Sequence, residues 1–460
     1  MFRKWSALAV ALVACAKSDK TGSSDSTAAS STQASTQSSA ACAADNGGIT
    51  LPAGFCATVF ADSLGHPRDI VIASNGDAYV NTWSGQYFNT PAPAGGFIVA
   101  LRDTNNDGKA DVIKRFGPDA RQKNGGGTGI ALYNGSLYVE EGDTASKRIV
   151  RYPVSTDSMV PTSAKSELIV NKLPASGDHP MHPFVIDGSG NIFMDVGSAT
   201  NSCQAKNRTA NSAGQKPCVE LQTRGGIWRY AANKTNQQFS SAGRYATGIR
   251  NAVGIALDGS GQLYSTQHGR DQLAENWSKL FTPEQGQNLP AEELLKIEQG
   301  GDYGWPYCYF DGQQQNKLVL APEYGGDGKT VGDCAGKKAP EAWFPAHWAP
   351  DGLVFYTGSQ YPAHYKGGAF IAFHGSWNRA PGKQGGYKVV FVPFSGGKPT
   401  DGSKFEDFAD GFVGGPIGPD ATDKALHRPT ALAQGPDGAI YITDDKGGRV
   451  WKVVYRGGAK

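Results

Sequence analysis

The chain has 460 residues, with 44 Lys+Arg against 42 Asp+Glu and a formal net charge of +2. So even a balance argues against nucleic acid as the main partner, because counterion release needs a basic face. Hydrophobic residues make up 39%, which excludes a polytopic membrane protein, while 20 Phe, 18 Tyr and 9 Trp exclude a disordered chain. The 61 glycines, about twice the usual share, predict many turns and many short strands.

At the N-terminus, Arg3 and Lys4 precede the apolar run Ala7 to Val13, so residues 1–14 read as a secretory signal peptide. The run is too short to span a bilayer. Leu12-Val13-Ala14-Cys15 resembles the lipobox of bacterial lipoproteins. That resemblance implies cleavage before Cys15, lipidation of Cys15, membrane attachment through the lipid alone, and export to the periplasm. Ala16, where inner-membrane retention uses Asp, points to the outer membrane. Residues 15–47 are rich in Ser, Thr, Ala and Gln and cannot bury enough surface to offset chain entropy, so they are expected to be a tether. Six cysteines remain beyond Cys15, and an even count in an exported chain suggests disulfides. Local pairing would give Cys42–Cys56, Cys203–Cys218 and Cys308–Cys334, among fifteen possible connectivities.

From residue 48 onward one unit recurs. A Gly- or Asn-rich turn leads into an alternating strand with an aromatic, as in Asn75-Gly76-Asp77-Ala78-Tyr79-Val80. It returns around Gly135, Gly190, Gly261, Gly367-Gly368 and Gly438, usually with a second strand after it. The spacings run unevenly from 55 to 107 residues, as expected for a propeller with variable loops. Six copies predict an all-β fold over 48–460: a six-bladed β-propeller with four-stranded blades. Phe55–Phe60 is expected to close the last blade. One segment reads as a helix, Pro290–Gln299, with Glu292 and Glu293 in its first turn.

Polar clusters sit beside the repeated strands: Asp178-His179-Pro180-Met181-His182, Arg250-Asn251, Gln267-His268-Gly269-Arg270-Asp271, His374 to Arg379, and His427-Arg428. In a propeller such loops converge at one end of the axis. Arg forks suit carboxylates, and a His can take a proton near neutrality. The set therefore suits a planar polyanion beside a general base.

At these residues the chain resembles the soluble quinoprotein glucose/sorbosone dehydrogenase family. The resemblance rests on Asp178-His179, Ile249-Arg250-Asn251, Asp302-Tyr303-Gly304-Trp305-Pro306, Ala349-Pro350-Asp351-Gly352 and His374-Gly375-Ser376-Trp377-Asn378-Arg379. It implies a pyrroloquinoline quinone (PQQ) cofactor, a Ca²⁺ and oxidation of an aldose or related polyol, with electrons passed to a periplasmic cytochrome or quinone. His179 would be the base, oriented by Asp178. Arg250, Asn251, Gln267, Asp271, Arg379 and Arg428 would contact the cofactor. The backbone oxygens of His268 and Gly269 would hold the Ca²⁺. His182, His347 and Trp348 would line the substrate pocket; His182 and His347 depart from the family pattern.

Separately, Asp103, Asn105, Asp107 and Asp111 alternate as in the first half of a calcium loop, although Asp107-Gly108 equally suits a hairpin turn. Two other function classes share the fold. One is a calcium-dependent lactonase or esterase, which would need carboxylates and Asn around the axis. The other is a non-catalytic carbohydrate- or protein-binding propeller.

Overall fold

A computed structural model describes residues 42–457, apart from 86, 89, 90, 123, 124, 143, 144, 156, 162, 164 and 315. The expected signal peptide 1–14, Cys15 and the tether up to residue 41 lie outside the described residues. The chain divides into Met1–Ser38 and Ser39–Lys460, and the second unit is the propeller.

Each of the six copies becomes one antiparallel sheet. Blade 1 is built from Pro67–Ile72, Ala78–Thr82, Gly96–Arg102 and Val112–Asp119, and blade 2 from Ile130–Tyr133, Ser136–Gly142, Lys147–Pro153 and Glu167–Leu173. Blades 3, 4 and 5 begin at Phe184–Ile186, Ile255–Leu257 and Pro350–Phe355. Blade 6 comprises Pro429–Gln434, Ile440–Asp444 and Val450–Tyr455, and its outer strand is Phe55–Ala61, paired antiparallel with Val450–Tyr455. The ring thus closes through the predicted N-terminal strand, which covers the edge of Val450–Tyr455 and becomes the outer strand of blade 6. Blade 2 departs from four strands, since Gln237–Gln238 adds a short parallel fifth.

The repeated glycine has one cause. Gly76, Gly135, Gly190, Gly261, Gly367 and Gly438 all turn between the first and second strands of a blade at φ of 70 to 90°, a region that other residues enter at a cost. The second strand is then buried almost throughout, as in Ala78–Thr82 and Ala369–Phe373, because both its faces meet neighbouring sheets. Tyr79, Phe97 and Ala100 pack on Leu137, Val150 and Tyr152 between blades 1 and 2. Comparable clusters fill the other five interfaces, ending with Phe60, Ile70 and Tyr441 between blades 6 and 1. Each fully buried large apolar side chain contributes about 1.5–3 kcal/mol, and none could be buried by one blade alone.

Polar staples join blades near the axis. Asn81 Nδ2 donates to Gly129 O (2.8 Å), Glu140 accepts from the His182 amide (3.1 Å), and Thr266 Oγ1 donates to Pro350 O (2.6 Å).

The helix expected over Pro290–Gln299 is instead a strand, Glu292–Lys296, between Leu263–Gln267 and Ala342–Phe344. Its two acids are strand neighbours pointing to opposite faces, both buried, rather than helix-terminal charges. The helical turns lie just before it, at Leu273–Asn276 and Pro283–Asn288. Thr282 and Gln285 form a capping box at the start of the second.

The three disulfides are Cys42–Cys56, Cys203–Cys218 and Cys308–Cys334. The Asp103–Asp111 segment is a hairpin whose carboxylates accept from the loop's own amides, for example Gly108 N to Asp103 Oδ2 at 2.8 Å.

Candidate active site

A cleft of about 780 Å³ opens at the end of the axis where first strands begin and second strands end. His66 and Arg68 enter it from blade 1, His179 from the approach to blade 3, and Arg250 and Asn251 from the approach to blade 4. His268, Gly269, Asp271 and Glu292 come from blade 4, His374 from blade 5, Arg428 from the approach to blade 6, and Asp445 and Lys446 from blade 6. The topology, rather than any local motif, makes these loops converge.

His179 is 7% exposed. Its Nδ1 lies 3.0 Å from Ser198 O and 2.9 Å from Ser198 Oγ. Ser198 Oγ itself donates to Thr200 O at 2.7 Å. The carbonyl can only accept, so Nδ1 carries the proton and Nε2 keeps its lone pair. Burial first, and then the nearby Arg250 charge, push the imidazole well below its ordinary pKa. His179 is therefore a neutral base with a fixed tautomer. The close fit needs Gly197, where any Cβ would sit 2.6 Å from the His179 Cβ.

Two charge networks surround it. In the first, Arg250 Nη2 and Arg208 Nη2 lie 2.9 and 3.0 Å from the same Asp271 oxygen, and Arg208 also reaches Asp178 Oδ2 at 2.9 Å. Burial would raise Asp271, but the two guanidinium groups outweigh it and hold the carboxyl below its usual range. In the second, Arg68 bridges Asp445 and Asp351, while His374 Nε2 and His268 Nε2 lie 2.8 and 3.1 Å from those two carboxylates. Burial depresses His268, yet its bond to Asp351 prevails and raises it. Glu292, with Gly269 N and Ala349 N as donors at 2.9 and 3.2 Å, is pushed up by burial to about 7.

The expected residues divide. Asp178, His179, Arg250, Asn251, His268, Gly269, Asp271, His347 and Arg428 line the cleft. Asp178 is held by Arg208 rather than by His179, whose orienting partner is Ser198. Gln267 lies behind the wall, accepting from Arg250 N at 2.8 Å and donating to Glu293 at 3.0 Å. Arg379 is spent on the carbonyls of Gln287, Ala346 and Lys383 and on Asn288, so it pins loops. His182 is buried against Glu140 at 3.0 Å. Trp348 packs edge-on against Phe373 at 5.3 Å. His347 and Ala349 on either side have φ of 66 and 58°; that backbone turns His347 to the cleft and Trp348 to the core.

Sequence reasoning missed Arg68, Ser198, Arg208, Glu292 and Asp445. Arg208 rides on the long segment between strands Asn191–Val196 and Gly226–Ala231, which Cys203–Cys218 staples. That bridge was the only signal that this segment is held in place.

Several polar atoms of the cleft have no protein partner although buried: Asn251 Oδ1, His347 Nδ1 and Asn378 Oδ1. Such atoms are costly unless something else satisfies them. Among the described residues, the cleft cations Arg428 and Lys446 pair with backbone carbonyls and with no carboxylate. The cleft thus offers two cations for an anion and unmet hydrogen-bonding atoms beside a neutral base.

A family model described as TrAA12-like matches residues 49–456. An uncharacterized protein of Borreliella burgdorferi is 31% identical over 214 residues, 46% of this chain and 48% of that protein. A pyrroloquinoline quinone-dependent pyranose dehydrogenase of Coprinopsis cinerea is 30% identical over 165 residues, 32% of this chain and 21% of that protein. The chain thus spans about half or less of the length of these curated relatives. Structures of a Trichoderma reesei Carbohydrate-Active Enzymes Family AA12 protein, an iodide and a calcium form, superpose with a TM-score of 0.69 at 20% identity. They cover 89% of this chain and 97–98% of theirs. At that identity the likeness establishes the shared fold.

Proposed function

The chain belongs to the TrAA12-like family, and from that premise we propose that it is a pyrroloquinoline quinone-dependent dehydrogenase of sugars in which His179 is the general base. The observation that carries this reading is the neutral, tautomerically fixed imidazole facing a cleft of unmet polar atoms and carboxylate-free cations. The relative from Coprinopsis cinerea supports the cofactor and the substrate class.

Arg428 and Lys446 would bind cofactor carboxylates, and Asn251 and His347 would take up hydrogen bonds that no protein group now completes. Arg250, satisfied by Asn201, Gly269 and Asp271, holds its place by preorganisation and supplies positive field to that wall. The bound quinone would supply the acceptor for the hydride that leaves the sugar's C1. His179 Nε2 would take the C1 hydroxyl proton, while Ser198 O holds the imidazolium at Nδ1. A Ca²⁺ would lie on the backbone oxygens of His268 and Gly269, the second of which also accepts from Arg250 Nη1 at 3.1 Å. Electrons would leave to a periplasmic cytochrome or quinone, with the protein held at the membrane by lipid on Cys15.

Titration of purified protein with pyrroloquinoline quinone and Ca²⁺, read by quinone absorbance and by dye reduction over an aldose panel, tests the reading. Stoichiometric binding with sugar-dependent reduction is expected. His179→Ala should keep the binding and lose about 10²–10⁴ of the rate. Absence of binding at micromolar cofactor would overturn the proposal.

A further inference from the structure

Among the described residues only six large hydrophobic side chains are exposed, and the two aromatic ones, Trp377 at 53% and Tyr87 at 52%, both line the mouth of the cleft. The chain has nine tryptophans, and Trp377 is the exposed one among those described. Single exposed apolar side chains are ordinary on protein surfaces, but a bare indole at a cleft mouth over a fixed backbone is placed to be covered by what enters the cleft.

The loop that carries Trp377 is held on every side. Ser376 N donates to Gly385 O at 2.8 Å, and Ser376 Oγ donates to Gln384 Oε1 at 2.7 Å. Asn378 Nδ2 donates to Asp271 Oδ1 at 2.9 Å, and the Arg379 guanidinium is anchored in three carbonyls. The backbone under the indole is therefore fixed while the ring stays bare, which lowers the entropic cost of stacking a ligand on it. Beside it, Asn378 Oδ1 is buried without a partner. Opposite in chain order, Tyr87 is tied by its hydroxyl to the Asp178 carbonyl, next to the base.

We propose that Trp377 is a stacking platform for a sugar ring beyond the one that is oxidised, so that the substrate class is oligosaccharide rather than free monosaccharide. This rests on the dehydrogenase reading above. An apolar ring face bordered by an unmet hydrogen-bond acceptor matches a pyranose, which presents C–H groups on its face and hydroxyls on its edge. A docked electron-accepting protein fits less well, because two exposed aromatic side chains are far less than the apolar core of a protein interface.

Rates of the cofactor-loaded protein would be measured on glucose, cellotriose and maltotriose for wild type, Trp377→Ala and Trp377→Phe. The preference for trisaccharide over glucose in kcat/KM should fall about tenfold in Trp377→Ala, through KM, and be kept in Trp377→Phe; tenfold is the size expected for one lost aromatic face. An unchanged preference overturns the proposal, as does a Trp377→Ala defect confined to reduction of cytochrome c. If no sugar is oxidised, the dehydrogenase reading fails, and calorimetry still decides the platform. Trisaccharide heat present in wild type and lost in Trp377→Ala supports it; equal heats, or none in wild type, overturn it.

Discussion

His179 and His268 line the same cleft, and their surroundings drive them in opposite directions. Burial and Arg250 depress His179, whereas the bond to Asp351 raises His268. A depressed base stays unprotonated below the ordinary histidine range, so the acid limb of kcat/KM should lie below pH ~6.5. Asp271 acts on His179 in the raising direction. Asp271→Asn should therefore move that limb to still lower pH, which a pH–rate profile would read directly. Glu293, buried beside Gln267, has its carboxyl raised to about 8. A carboxyl raised on folding binds more protons in the folded state than in the unfolded state between its ordinary pKa and 8. Stability is then lost as pH rises through that window. Glu293→Gln should thus stabilise the protein at pH 8 relative to wild type, by up to a few kcal/mol, raising the melting temperature there and changing it little at pH 4. A melting curve at each pH checks this. Of the residues that matter at this scale, His179 and Arg250 were legible as polar groups beside a repeated strand. Glu292 was not, because two adjacent acids before Leu-Leu-Lys look alike in a helix start and a buried strand.

Among the elements, two disulfides close loops of similar size, with separations of 14 and 15 residues, yet they serve different ends. Cys42–Cys56 ties the segment just before the propeller to the closing strand, while Cys203–Cys218 holds the segment that presents Arg208 to Asp178 and Asp271. Each should contribute about 3 kcal/mol to stability on the chain-entropy argument. Replacing either pair by Ser should therefore lower denaturation midpoints similarly. Only Cys203→Ser/Cys218→Ser should also weaken quinone binding, measured by absorbance titration. Equal binding in both variants would show that the Arg208 segment does not shape the cleft. The hairpins of the blades were readable because each glycine and the strand after it lie within a few residues. Arg208 was not, because its segment has no period and only the fold brings it back over the axis.

At the level of the whole molecule, the ring and the site are one construction. The Arg68–Asp445 pair spans 377 residues of sequence and joins blade 1 to blade 6, whose outer strand comes from the N-terminal side. Thr58→Pro would remove a ladder hydrogen bond opposite Lys452, worth about 1 kcal/mol net, at a position outside the cleft. Because ring closure shapes the cleft, we expect the substitution to lower the melting temperature and, by weakening the proposed binding, to reduce the stabilisation expected from added pyrroloquinoline quinone. In wild type that stabilisation should reach about 2.7 kcal/mol at a hundredfold excess over Kd. Differential scanning calorimetry with and without cofactor measures both effects.

What the sequence by itself determined was whatever a single unit can encode: the six glycine turns, the strand after each and the spare N-terminal strand, while local cysteine pairing stayed one of fifteen connectivities. These follow from steric preference and burial period, which act over a few residues. What only the tertiary structure decided was which of several similar polar loops face the axis. Arg379 and Arg428 lie in similar settings beside repeated strands and both donate to carbonyls, yet Arg379 sits behind the wall and Arg428 lines the cleft. Closing six blades sets that difference, because the direction of a loop depends on neighbours hundreds of residues away.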